Sequence, residues 1–78
     1  MDPVKVLQRA YQDELLDALR AEGAAQGVPY PHVRALLLEV ARRERANAEA
    51  LAEALRRRGA HLPPTPNPEE AGWQTLRP

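Results

Sequence analysis

Two carboxylates and one amide occupy positions where the sequence would otherwise be apolar. Glu44 and Asn47 lie three residues apart in the stretch ARRERANAEAL, so they share one face of a helix. Glu14 is the inward acidic residue of an earlier stretch, AYQDELLDALR. Carboxylate and amide oxygens can coordinate a cation, and a carboxylate can bridge two metal ions. A metal site formed by Glu14, Glu44 and Asn47 is therefore one candidate for chemistry.

These residues interrupt two apolar stripes that follow the helical period of about 100° per residue. The stripe around Glu14 contains Val4, Leu7, Tyr11, Leu15, Ala18 and Ala25. The stripe around Glu44 and Asn47 contains Val33, Leu36, Leu37, Val40, Leu51, Ala54 and Leu55. Glu14 precedes the end of its helix by about 12 residues, and Glu44 follows the start of its helix by about 13, so an antiparallel pair brings them to one level.

Capping residues divide the chain into two helices and a tail. Asp2 and Pro3 predict the start of a helix over about residues 3–26, and GVPYP predicts a short connection. Pro31 begins a second helix over about 31–58, and Gly59 suits a left-handed cap at its end. We expect these helices to form an antiparallel hairpin over residues 1–60. Residues 61–78 read as a Pro-rich linker, followed by a short turn or helix that carries Trp73.

Composition limits how much apolar surface this chain can bury alone. It has 78 residues, no Phe and one Trp, and much of its 44% hydrophobic content is alanine. Burial contributes about 25 cal/mol per Å² of apolar surface, so a core made of small side chains is weak. We therefore expect a second copy, most simply in a dimer. The predicted fold is all-α, with two hairpins completing a four-helix bundle by self-association.

Charge and motif content exclude several classes of function. The chain has 11 basic and 11 acidic side chains, which argues against a nucleic-acid or membrane partner. No apolar run approaches the roughly 20 residues of a membrane-spanning helix. The first residues do not form a signal peptide, so a cytoplasmic location is expected. The sequence has no cysteine, no phosphate-binding loop, no zinc-ligand spacing and no hydrolase triad.

A purely structural role explains the same polar residues. Interior polar side chains can fix the register and oligomeric state of a helical bundle. An Arg from a partner helix could neutralise Glu44, since a buried carboxylate without a partner is costly. His32 and His61 lie far from the level of Glu44, and we interpret both as solvated. The residues alone leave the structural and the metal interpretations open.

The segment LLLEVARRERANAEALAEALRRRG resembles a ligand helix of the ferritin-like family, which includes rubrerythrins, bacterioferritins and encapsulated ferritins. In that family Glu-x-x-His supplies a carboxylate and an imidazole to a di-iron centre, joined by a Glu from the preceding helix. The resemblance extends over roughly residues 4–60 and implies half of a four-helix bundle. It implies iron or manganese held by Glu14 and Glu44. Asn47 stands where the family has His, and an amide oxygen suits harder cations.

Two functional expectations follow. One is a ferritin-like protein that binds a metal cation between helices in a homo-oligomer. The alternative is a non-catalytic helical oligomerisation or interaction module whose metal site has been lost. Enzymatic activity stays open on the first interpretation. No nucleophile or general acid–base arrangement accompanies the carboxylates, so hydrolase or kinase chemistry has no support.

Overall fold

The fold is an antiparallel pair of α-helices, seen in a computed structural model whose described residues are 1–67. Helix α1 spans Pro3–Gly27 and helix α2 spans Pro31–Arg57, and residues 1–67 contain no β-strand. This is the all-helical hairpin that the sequence predicts. A four-helix bundle would require a second copy of it. The short turn or helix predicted around Trp73 lies outside the described residues.

The start of α1 and the connection between the helices are fixed by local hydrogen bonds. The Asp2 carboxylate accepts a hydrogen bond from the backbone N–H of Val4 at 2.9 Å, which satisfies one of the free donors of the first turn. The guanidinium of Arg34 donates to the Val28 carbonyl at 3.1 and 3.3 Å. These bonds hold the short connection against the first turn of α2.

The end of α2 is a glycine cap of the Schellman type. Gly59 adopts a φ of 67°, in the left-handed region that other residues rarely enter. The backbone N–H groups of Gly59 and Ala60 donate to the carbonyls of Arg56 and Leu55 at 2.9 and 3.0 Å. The cap stops the helix and turns the chain back toward α1.

The two helices meet along a seam that is lined almost entirely by alanine. Six hydrophobic residues are buried there: Ala18, Ala25, Ala41, Ala48, Ala52 and Leu55. Small side chains let helix axes approach closely, but each one removes little apolar surface from water. No polar or charged residue is fully buried in the part of the chain that the structure describes. The seam alone is therefore a weak source of stability.

The face of α2 that meets α1 differs from the predicted one. Leu36 and Val40 were expected in the core, but they are 63% and 38% exposed, while Ala41 and Ala48 are buried. The buried face is turned from the predicted stripe by roughly 80°, less than the step of one residue. The prediction was right for Leu55, which is fully buried, and wrong for Leu36 and Val40, because it counted large apolar side chains as core where alanines fill the seam.

Residues 60–67, which we call the strap, lie along one side of α1. The side-chain amides of Gln8 and Gln12 donate to the backbone carbonyls of His61 and Pro64 at 3.1 and 3.2 Å. Leu62 in the strap is half-buried. The strap thus covers one flank of the hairpin.

Within residues 1–67, no helix combines the length and apolar character that crossing a membrane requires.

Candidate functional site at the helix seam

Glu14 and Glu44 lie at the same level of the hairpin, half-buried between the helices. Burial raises the pKa of the Glu44 carboxyl group most, and the negative charges of Asp17 and Glu14 raise it further. We call these three residues the carboxylate cluster. Asp17 also lies 3.8 Å from Arg20 on the next turn of α1. The cluster therefore concentrates negative charge at the middle of the seam.

The two arginines that flank Glu44 in the sequence point to other partners. Arg45 donates two hydrogen bonds to Glu22 at 2.6 and 2.8 Å, a bridge between the helices. This hydrogen bonding lowers the pKa of Glu22, although partial burial opposes the shift. Arg43 lies 3.4 Å from Glu39 on its own helix. Glu44 forms no ion pair with a basic side chain of residues 1–67.

Asn47, the third predicted ligand, is exposed and lies beside the seam rather than in it. Among residues 1–67, no group of three or more His, Cys, Asp and Glu residues is arranged to hold a metal ion. The carboxylates of the cluster interact through their charges, but electrostatic interaction reaches further than the 2.0–2.6 Å of a metal–oxygen bond. Residues 1–67 of one hairpin therefore supply no three-residue ligand set. Glu14, Glu44 and Asn47 as metal ligands stay a prediction.

The histidines lie outside the cluster. His32 is exposed near the start of α2, where its ring centroid lies 6.4 Å from that of Tyr30. His61 is exposed in the strap, and its backbone carbonyl accepts the hydrogen bond from Gln8. Neither imidazole belongs to a group that could hold a metal ion within the described chain.

The flank opposite the strap presents exposed apolar side chains. We call it the open flank; its members are Val6, Ala10, Asp17, Ala21 and Ala24 on α1, and Leu36, Val40, Arg43, Asn47, Ala50 and Ala54 on α2. Val6 is 47% exposed there. A shallow groove lined by Met1, Pro3, Val6, Leu7 and Arg58 continues this surface at the end of the hairpin. Exposed aliphatic side chains that share one face indicate a surface for contact with another molecule.

Sequence reasoning missed both Asp17 and the open flank. Asp17 follows Glu14 by three residues, so helical spacing alone places it beside the other carboxylates. The sequence signal for the open flank is the seven-residue spacing of Ala41 and Ala48, which marks the side of α2 that contacts α1. With that side in the seam, Leu36 and Val40 fall on the exposed side.

Comparisons with known proteins assign no family to the chain. No protein-family model, curated protein or solved structure matches it. The functional interpretation therefore rests on the geometry of the hairpin itself, chiefly the carboxylate cluster and the open flank.

Proposed function

We propose that this chain is a non-catalytic helical module that works by self-association, with two hairpins pairing through their open flanks into a four-helix bundle. The observation that carries the proposal is the exposure of Leu36 and Val40 side by side on a regular helix. A cytoplasmic location belongs to the same proposal. So does the absence of nucleic-acid and membrane partners, which the balanced charge of the chain supports.

The energetics of the hairpin support this proposal. Within residues 1–67, five of the six buried core residues are alanine, so the seam gains little from the hydrophobic effect. Covering an exposed Leu or Val side chain stabilises a protein by about 1.5–3 kcal/mol when the side chain becomes fully buried. A second hairpin on the open flank would provide such burial for several side chains at once, which a small domain needs.

The carboxylate cluster has a defined part in this module. Glu44 sits at the edge of the open flank, between the helices and without an ion pair inside the described chain. Pairing through the open flank brings the clusters of both copies near one another, so these carboxylates lower the stability of the pair and restrict the registers that a partner can adopt. The carboxylate cluster thus makes the pairing of two hairpins more specific and less stable.

Substitution on the two flanks tests the proposal. We expect the unmodified chain to sediment as a dimer at micromolar concentration, and Leu36→Glu to weaken association by about tenfold or more, because the new carboxylate must be desolvated. Leu38→Glu is the matched control, since Leu38 is 48% exposed but lies on the other side of α2. A monomeric unmodified chain, or an equal effect of both substitutions, would contradict self-association through the open flank.

A second candidate function is a ferritin-like protein that binds iron or manganese between two copies. The supporting observation is that Glu44 lies beside Glu14 and Asp17 without an ion pair of its own within residues 1–67. A twofold pairing would double the number of carboxylates near the seam and could complete a ligand set that one hairpin lacks.

Metal analysis separates this candidate from the first. Protein purified without chelator would be titrated with Mn²⁺ or Fe²⁺, together with the Glu44→Gln variant, which keeps the shape but removes the charged ligand. The metal candidate predicts bound metal in the unmodified chain and at least about tenfold weaker binding in the variant, the loss usual when a ligand or its support is removed. Equal binding by both proteins, or none by either, would rule it out.

A further inference from the structure

We infer that the partner of the open flank is a second copy related by a twofold axis parallel to the helices, so that α1 of each copy lies on α2 of the other. This inference rests on the proposed self-association and specifies its geometry. Two hairpin layers can stack face to face about only two kinds of twofold axis. An axis across the helices would instead place α1 on α1 and α2 on α2.

The register of such a pair follows from the single hairpin. In an antiparallel pair, residues at one level have sequence numbers with a constant sum. The short connection between Gly27, where α1 ends, and Pro31, where α2 begins, sets that sum at about 60. Rotation about an axis parallel to the helices leaves every residue at its own level. The same sum therefore relates α1 of one copy to α2 of the other.

At this register the large side chains of each copy meet alanines of the other. Three pairs result: Leu36 opposite the partner's Ala24, Val40 opposite the partner's Ala21, and Val6 opposite the partner's Ala54. The three large side chains are exposed in the hairpin, and the three alanines are half-buried. Large side chains set against small ones allow two helix layers to interdigitate. The alternative axis would set α1 alanines against α1 alanines and leave Leu36 facing α2.

Charge on the open flank favours the same arrangement. Asp17 carries negative charge on the α1 side of this surface, whereas Arg43 carries positive charge on the α2 side. The shared register brings Arg43, whose side chain is 74% exposed and 3.4 Å from Glu39, opposite the partner's Asp17. Asp17 lies 3.8 Å from Arg20 of its own chain. With α1 on α1, Asp17 would face the partner's α1 and lose this attraction. In the inferred pair the carboxylate clusters of the two copies also come to one level, which weakens the pairing. The pairing is isologous and closed, so it ends at a dimer.

Disulfide trapping tests the pairing directly, because the chain contains no cysteine of its own. Two full-length variants, Ala21→Cys and Val40→Cys, would be mixed in equal amounts while reduced and then oxidised gently at micromolar concentration. We expect the mixed disulfide to exceed the half share that random pairing gives, since these positions oppose one another between copies. Leu38→Cys mixed with Ala21→Cys is the control, and it should give less mixed disulfide.

The outcomes separate this inference from the proposed function. A sedimenting dimer in which Val40→Cys links mainly to itself would overturn the inferred axis and leave self-association intact. A chain that sediments as a monomer would overturn both. Helical circular dichroism of each reduced variant confirms that the substitutions have not unfolded the hairpin before oxidation.

Discussion

Glu44 shows how one residue can oppose the stability of the element that carries it. Its pKa is raised, so the folded hairpin binds the proton of this carboxyl group more tightly than the unfolded chain does. The contribution of Glu44 is therefore most favourable below its ordinary pKa and is lost as the pH rises through the folded value. Glu22 behaves in the opposite way, because hydrogen bonds from Arg45 lower its pKa and favour the fold above the ordinary value.

Substituting Glu44 by Gln should stabilise the protein at neutral pH. The amide keeps the shape of the side chain but removes the repulsion from Asp17 and Glu14, so we expect a gain of up to about 1 kcal/mol, limited by solvent screening. The gain should shrink as the pH falls and Glu44 becomes protonated. Urea unfolding of both proteins at pH 7 and near pH 4 measures this. A variant that is less stable at pH 7 would show that the charge of Glu44 has a favourable partner.

At the scale of the elements, helix ends were easier to predict than helix faces. Local chemistry determines the ends: a short acidic cap at Asp2 and a glycine at Gly59 leave few other conformations. The face depends on which surface of the other helix is available, and that is not a local property. Leu36 and Val40 follow the helical period of a core stripe, yet the close alanine contact turns them outward.

The carboxylate cluster was partly predictable for the same reason. The common level of Glu14 and Glu44 follows from helix rise alone, which any antiparallel hairpin with a short connection must obey. The position of Asn47 depends on how α2 is rotated, and the rotation that exposes Leu36 also exposes Asn47. The two polar residues of the Glu-x-x-Asn motif therefore differ in position: Glu44 lies near the seam, as predicted, and Asn47 does not.

At the scale of the whole molecule, the strap and the open flank divide the hairpin into a covered and an uncovered side. On the covered side, the strap is held against α1 by hydrogen bonds from the side chains of Gln8 and Gln12. On the uncovered side, Val6, Leu36 and Val40 are 47%, 63% and 38% exposed in the described part of the chain. A module with one free apolar face is suited to pairing once, whereas two free faces would allow open-ended association.

Thermal melting at different protein concentrations tests this view of the whole molecule. If folding and pairing are coupled, a hundredfold rise in chain concentration should raise the apparent free energy of unfolding by up to about 2.7 kcal/mol. Shared between the two chains of a dimer, this is about 1.4 kcal/mol per chain, which corresponds to a rise in Tm of roughly 5–10 °C. The Leu36→Glu variant should melt at a temperature that is lower and nearly independent of concentration. A constant Tm for the unmodified chain would show that the hairpin is stable alone and that the open flank serves another purpose.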